Sequence, residues 1–267
     1  MELSVVIPML NEAENAATLM HEVRGALEGR LDYEIIVVDD GSSDSTFEIL
    51  TGLRRSVPRL YPARHVQNYG QSAAIATGVR LARAPWVATL DGDGQNDPAD
   101  IPNLYASVRQ GARGVPLLVA GIRRKRHDGW LRRISSRVAN GVRQSVLRDG
   151  CPDTGCGLKL FERETFSRLP QFDHMHRFLP ALFIRAGGQV VNVPVNHRPR
   201  MRGQSKYGVR NRLWAGLVDL AGVGWLQRRR LEPKLDAAPG RARSDPGGPE
   251  AAGAEEDPIL SQSSGAP

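Results

Sequence analysis

The sequence predicts an α/β domain in which helices cover both faces of a mostly parallel sheet. Three observations carry this. Apolar, β-branched runs of strand length alternate with stretches of helical periodicity. The runs are continuously apolar rather than alternating, as expected of strands buried on both faces. At 267 residues the chain can hold one well-cored α/β domain.

Leu3 to Leu10 reads as the first strand. Leu19, Met20, Val23 and Leu27 mark the helix after Asn11-Glu12. Tyr33 to Val38 is a second strand, ending in Asp39-Asp40-Gly41. Ser42 to Asp44 resemble a helix N-cap, and Phe47, Ile49, Leu50 and Leu53 lie in the helix that follows. Leu60–Val66 is a poorer third strand, Gln71 to Ala84 a helix, and Trp86 to Leu90 a buried strand. Pro116 to Gly121 and Gln189–His197 supply later strands.

Ligands of such sheets bind outside the carboxyl ends of the strands. Pro8–Glu12, Asp39–Asp40 and Asp91–Gln95 lie at those ends and are expected to form one site. Asp91-Gly92-Asp93-Gly94-Gln95 is the most informative of them. Two carboxylates one residue apart, on a backbone that glycine lets turn, repel unless a cation lies between them. Hard oxygen ligands suit Mg²⁺ or Mn²⁺, and Gln95 adds an amide oxygen. The alternative is a solvated acidic turn. No Gly-x-Gly-x-x-Gly follows the first strand and no Gly-Lys-Ser/Thr loop occurs, which disfavours dinucleotide-binding and P-loop readings.

The net charge is +7, unevenly spread: residues 231–267 carry −4 and the first 230 residues +11. A basic body suits phosphate-bearing partners or an anionic membrane surface, and also simple solubility. No aromatic-interleaved basic strand accompanies it, so no nucleic-acid partner is expected. Cys151 and Cys156 are the only cysteines, with four residues between them, and read as reduced thiols of a cytosolic protein. Met1-Glu2-Leu3-Ser4 leads straight into a strand and has no signal-peptide pattern.

Leu213 to Leu226 is apolar apart from Asp219, carries Trp214 and Trp225 near its ends, and is flanked by Arg210, Arg212 and Arg228-Arg229-Arg230. Its 14 residues fall short of the about 20 needed to span a bilayer. An amphipathic helix at a membrane interface and an ordinary helix packed on the core both suit it. The composition after Leu231 predicts a disordered tail. The expected layout is a catalytic domain over 1–210, an interfacial helix over 211–230 and a tail over 231–267.

Taken in order, the motifs resemble a family-2 glycosyltransferase of the polyprenyl (dolichyl) phosphate mannosyltransferase type, over roughly residues 3–210. Pro8-Met9-Leu10-Asn11-Glu12 matches the opening Pro-x-x-Asn-Glu. Asp39-Asp40-Gly41-Ser42-Ser43-Asp44-Ser45-Thr46 matches Asp-Asp-Gly-Ser-x-Asp-x-Thr. Asn68-Tyr69-Gly70 and Gly78 fit the next block, and Asp91-Gly92-Asp93-Gly94-Gln95 with Asp97-Pro98 the metal block. Asp153-Thr154-Gly155-Cys156-Gly157 and Arg202-Gly203-Gln204-Ser205-Lys206-Tyr207 match later blocks. Leu158 departs from the aromatic common after Cys-Gly, and the membrane hairpins of some members have no counterpart.

The resemblance implies a GT-A, Rossmann-like fold, an inverting reaction, a nucleotide-diphosphate-sugar donor (GDP-mannose first) and a polyprenyl phosphate acceptor. It implies that Pro8, Glu12 and Asp40 hold the base and ribose, with Asn11, Val38, Gly92 and Arg123 completing the donor set. Asn11 and Asp39 alternatively shape their loops, and Asp39 equally caps the next helix. Asp91, Asp93 and Gln95 would hold Mg²⁺ or Mn²⁺. The catalytic set would be Asp91, Asp93, Asp153 and Arg133. Arg123, Arg132 and Arg133 are candidates to stabilise the leaving diphosphate, since developing negative charge is what such a site must meet. Arg202 and Lys206 would grip the acceptor phosphate. That phosphate is already largely dianionic at neutral pH and needs no general base, so a positioning role is expected of Asp153.

The implied location is cytoplasmic, peripheral at the inner face of the membrane. A UDP-sugar (glucose or related) transferase acting on a lipid phosphate or a sugar hydroxyl is the first alternative. Against processive synthesis, no Gln-x-x-Arg-Trp occurs. A non-catalytic nucleotide-sugar-binding scaffold is the second. It would have no physical need for Asp91, Asp93, Arg202 and Lys206.

Overall fold

Seven strands, β1 (Leu3–Met9), β2 (Tyr33–Asp39), β3 (Leu60–Arg64), β4 (Trp86–Thr89), β5 (Leu117–Arg123), β6 (Lys159–Glu162) and β7 (Gln189–Val195), form one sheet ordered β3-β2-β1-β4-β6-β5-β7. The computed structural model describes residues 1–124, 141, 143–199 and 209–229. Every pairing is parallel except those of β6, which runs antiparallel to both β4 and β5. The helices are α1 (Ala13–Leu27), α2 (Thr46–Leu53), α3 (Gln71–Leu81), α4 (Ile101–Ala106), α5 (Arg163–Arg168), α6 (Leu179–Arg185) and α7 (Val209–Arg228).

Helices cover both faces, as the apolar runs require. In β1, Leu3, Val5, Ile7 and Met9 join a core with Leu19 and Val23 of α1 and Leu104 of α4. Val6 faces the opposite core, with Ile75 and Val79 of α3, Leu182 of α6 and Val223 of α7. Successive strand residues point to opposite faces, so a strand buried on both sides is apolar at nearly every position. Gly78 lets α3 approach the sheet, because a Cβ there would overlap the Val6 side chain.

Three expected elements differ. The helix expected through Ala84 ends at Leu81. The Arg83 N–H instead donates to buried Glu34 (2.8 Å) and the Ala84 N–H to Ser4 Oγ (3.2 Å), which turns the chain into β4. Strand β6 was not anticipated, because Lys159 interrupts its short apolar run. Helix α7 has 20 residues and begins before Leu213. Leu220, Val223 and Leu226 pack inward on the core, while Leu217, Val218 and Trp225 face outward, 55–61 % exposed. Asp219 turns inward to His174 Nδ1 (3.1 Å). No described helix is long and apolar enough to cross a membrane. The expected tail, 231–267, lies outside the described residues.

Candidate active site

The carboxyl ends of β1, β2 and β4 meet, and loop contacts hold them. The Asp40 N–H donates to Met9 O (2.8 Å), bringing the end of β2 onto β1. The Ser43 N–H donates to Asn11 Oδ1 (2.7 Å) and the Glu12 N–H to Thr46 Oγ1 (2.9 Å), stitching the first loop to the second. Asn11 sits at φ 50°, where its short polar side chain bonds locally. Of its two expected roles, the structure shows the loop-shaping one. Gly92 lies against β1: a Cβ there would stand 2.7 Å from Met9 Cγ and 2.9 Å from Pro8 O. Pro8, Glu12, Asp40 and Gly92 are thus gathered as expected. Val38 lies beside Pro8 in the sheet, but its side chain is fully buried in the α3-side core, which leaves only its backbone for a donor.

Asp39 and Asp40 divide their work. Buried Asp39 accepts the Ser42 N–H (3.1 Å) and pairs with Arg64 Nε (3.2 Å), so it builds the Asp39–Ser42 turn. It does not cap α2; Asp44 Oδ1 accepts the Thr46 N–H at that helix start (3.0 Å). Asp40 accepts the N–H groups of Tyr69 (3.0 Å) and Gly70 (2.7 Å) and contacts His65 Nδ1 (2.7 Å). Its carboxylate fixes the 65–70 loop; Oδ1 already meets both Tyr69 and His65, so the second lone pair of Oδ2 is what it can offer a ligand. His65, which the sequence did not single out, reaches Thr77 Oγ1 with Nε2 (3.0 Å). Both line a cleft of about 670 Å³ that also includes Tyr69, Arg80 and Phe172, and it flanks rather than contains Asp91 and Asp93.

At the end of β4, Asp91 lies flat against Gly157, where a Cβ would overlap its carboxylate. Gln71 Nε2 donates to Asp91 Oδ1 (2.8 Å). Burial, and then the charge of Asp93, push the Asp91 carboxyl up to about 6, against the pull of Lys159, Gln71 and Arg123. A carboxylate destabilised by a second carboxylate is what a divalent cation would relieve. Among the described residues no group of three or more His, Cys, Asp or Glu converges on a metal position. Two carboxylates with the Gln95 amide fit Mg²⁺ or Mn²⁺ of the kind that takes its other ligands from phosphate oxygens and water.

Asp153 and Arg123 form a bidentate pair. Arg123 Nε donates to Oδ2 and Nη2 to Oδ1, both at 2.7 Å, with the side chains only 15 % and 9 % exposed. Asp153 thereby raises the Arg123 pKa further, against burial. The loop between them and β6 is held from below by buried Lys159, whose ammonium donates to Thr154 O (3.2 Å) and Cys156 O. Thr89 Oγ1 donates to Gly157 O (2.7 Å), tying this loop to β4.

The loop after β4 is also clamped from outside. The Arg198 N–H donates to Gln95 O (2.9 Å), and its guanidinium bridges Glu22 of α1 (2.9 Å) and Asp97 (2.6 Å). Gln71, Lys159 and Arg198 were all missed by sequence reading, because each acts through a contact distant along the chain. Arg132, Arg133, Arg202 and Lys206 lie outside the described residues.

The sequence model of glycosyl transferase family 2 matches residues 4–169, more than half of the chain. The chain belongs to this family. Among family-2 relatives, the dodecaprenyl-phosphate galacturonate synthase of Rhizobium johnstonii is 35 % identical over 241 residues, covering 87 % of this chain and 69 % of its own. The undecaprenyl-phosphate 4-deoxy-4-formamido-L-arabinose transferase of Edwardsiella ictaluri is 35 % identical over 209 residues, covering 78 % of this chain and 63 % of its own. The chain therefore spans less than two thirds of the Edwardsiella relative. A mannosyltransferase from Pyrobaculum calidifontis, solved with GDP-Man and Mn²⁺, superposes with a TM-score of 0.63 at 18 % identity, over 87 % of this chain and 66 % of its own. That likeness establishes the GT-A fold of this family-2 glycosyltransferase.

Proposed function

We propose that this chain transfers a sugar from a nucleotide-diphosphate donor to a polyprenyl phosphate, with inversion at the anomeric carbon. One observation carries the acceptor half: Asp153 is locked to Arg123 by two hydrogen bonds. A carboxylate held ionised by a guanidinium is a poor proton acceptor. A hydroxyl acceptor would need a base there; a phosphate dianion does not. The relatives agree, since both names place a sugar on a polyprenyl phosphate.

In this reading Pro8, Glu12 and Asp40 cradle the nucleoside, and Asp91 and Asp93, with Gln95, hold Mg²⁺ or Mn²⁺. The ion would neutralise charge on the departing diphosphate. Arg123 adds fixed positive charge beside Asp91, and Asp153 keeps it aimed there. Arg133 would add to this charge, and Arg202 and Lys206 would hold the acceptor phosphate. The outward apolar face of α7 (Leu217, Val218, Trp225), with Arg228 and Arg229 beyond it, suits peripheral contact with an anionic membrane at the cytoplasmic side. Residues 1–210, 211–230 and 231–267 would serve as catalytic domain, membrane helix and tail.

The donor is the less constrained half. The relatives' names specify galacturonate and 4-deoxy-4-formamido-L-arabinose rather than the mannose suggested by motif resemblance. The test is turnover with labelled GDP-mannose, UDP-glucose and nucleotide-linked galacturonate and 4-deoxy-4-formamido-L-arabinose, with a polyprenyl phosphate and Mn²⁺. One donor should give a lipid-phosphate sugar. Donor binding without turnover on any of them would support the scaffold instead.

A further inference from the structure

We propose that Gln71 is the positioning residue for the metal-binding carboxylate, and that residues 69–71 brace Asp91 and Asp40 together. This rests on the reading that Asp91 and Asp93 hold the divalent ion.

The geometry is specific. Gln71 is the first residue of α3, whose N-cap, Gly70, uses no side-chain cap. An amide at that position is ordinarily solvated. Here its Nε2 donates to Asp91 Oδ1 at 2.8 Å. A carboxylate only accepts, so the NH₂ end of the amide must face it. Just before Gln71, the Gly70 and Tyr69 N–H groups donate to the two oxygens of Asp40. Gly70 makes this possible at φ 92°, a backbone angle that a residue with a Cβ rarely adopts. Three consecutive residues therefore hold the carboxylates that end β2 and β4, two strands separated by β1.

Gln71 completes the fixing of Asp91. Gly157 packs one side of the carboxylate, and the amide tethers one oxygen. A carboxylate packed and tethered in this way has one orientation, and a preorganised ligand loses less freedom when a cation binds. Gln71 also offsets the burial of Asp91 and the repulsion of Asp93 without adding a charge of its own. Its effect should therefore fall on metal affinity before it falls on the chemical step.

The experiment measures Mn²⁺ binding by titration calorimetry on the full chain without donor. It compares wild type with Gln71→Leu, which keeps an apolar stem and loses the donor, and Gln71→Asn, which keeps the amide but falls short. Both variants should bind Mn²⁺ about tenfold more weakly, the scale of one hydrogen bond to a charged group. Melting temperature should fall by no more than a few degrees, metal-free nucleotide binding should stay unchanged, and excess Mn²⁺ should restore kcat. Equal Mn²⁺ affinity in wild type and both variants would overturn the inference while leaving the metal reading intact. Wild type that binds no Mn²⁺, with or without nucleotide, would overturn the metal reading and this inference with it. Should Gln71→Leu fail to fold, Gln71→Asn reads the same quantity.

Discussion

Gly157 has no side chain where the Asp91 carboxylate lies: a Cβ on Gly157 would overlap that carboxylate. The pairing joins the loop before β6 to the end of β4 at the atoms that would carry the metal. Gly157→Ala should therefore push Asp91 aside. We expect most turnover and most Mn²⁺ affinity to be lost, with a folding cost of about 1–3 kcal/mol from overpacking. Calorimetric Mn²⁺ titration and a denaturant melt read the two effects separately.

Asp93→Asn should keep the fold and remove most activity. It also removes one of the charges that raise the Asp91 pKa, so the apoprotein should be no less stable than wild type. Full activity of this variant, or of wild type in excess chelator, would count against metal dependence.

Asp91 should tie metal binding to pH. Its carboxyl titrates near 6 without metal, so protons compete with the ion below that value. Mn²⁺ affinity measured from pH 7.5 to 5 should fall progressively below about pH 6. Affinity that stays flat to pH 5 would contradict the burial and repulsion described for Asp91.

Asp153 should behave as a positioner rather than a base. Asp153→Asn leaves Arg123 without its bidentate partner, costing up to about 3 kcal/mol of stability. Turnover should drop, but the pH–rate profile should keep its acid limb. Loss of that limb alone would show Asp153 accepting a proton.

The fold was legible where one residue type repeats and obscure where function interrupts it. The runs ending at Met9, Asp39 and Thr89 are apolar at nearly every position, because both sheet faces are covered. Strand β6 escaped because Lys159 stands within its four residues to hold the Thr154–Cys156 carbonyls. The site shows the same division. Asp91 and Asp93 announce themselves by spacing, and Arg123 and Asp153 are each named from sequence, whereas the Gln71–Asp91 and Arg123–Asp153 contacts join residues 20 and 30 apart. No local pattern encodes such contacts; the packing of α3 on the sheet makes the first and the antiparallel pairing of β5 with β6 the second.

His176 makes the fold sensitive to acid. Burial holds its pKa down to about 3 from an ordinary 6.5. Ser72 Oγ accepts the His176 backbone N–H (3.3 Å) and lies 2.8 Å from Nδ1, to which its hydroxyl can donate when the ring is neutral. As pH falls from about 6.5 toward 3, the unfolded chain takes up a proton that the folded chain refuses, so stability falls across that window. At pH 5 the loss from this group is about 2 kcal/mol. Asp91, raised to about 6, stabilises the fold over the same window, so the readout is the difference between wild type and His176→Gln in denaturant melts at pH 7 and 5, with the variant losing less.

Helix α7 should carry membrane attachment on its outward face. Val218→Asp with Trp225→Glu places charge on side chains 55 % and 61 % exposed, so folding should be little affected. Co-sedimentation with anionic vesicles should drop, while nucleotide-sugar binding stays unchanged. Unaltered vesicle binding would place the membrane surface elsewhere.

The acceptor choice tests the account most directly. Labelled donor, supplied with Mn²⁺, should be offered side by side to a polyprenyl phosphate and to the corresponding polyprenol. The account predicts transfer to the phosphate and none to the alcohol, because Asp153, paired with Arg123, is a poor base for a hydroxyl. Transfer to the alcohol at a comparable rate would contradict it.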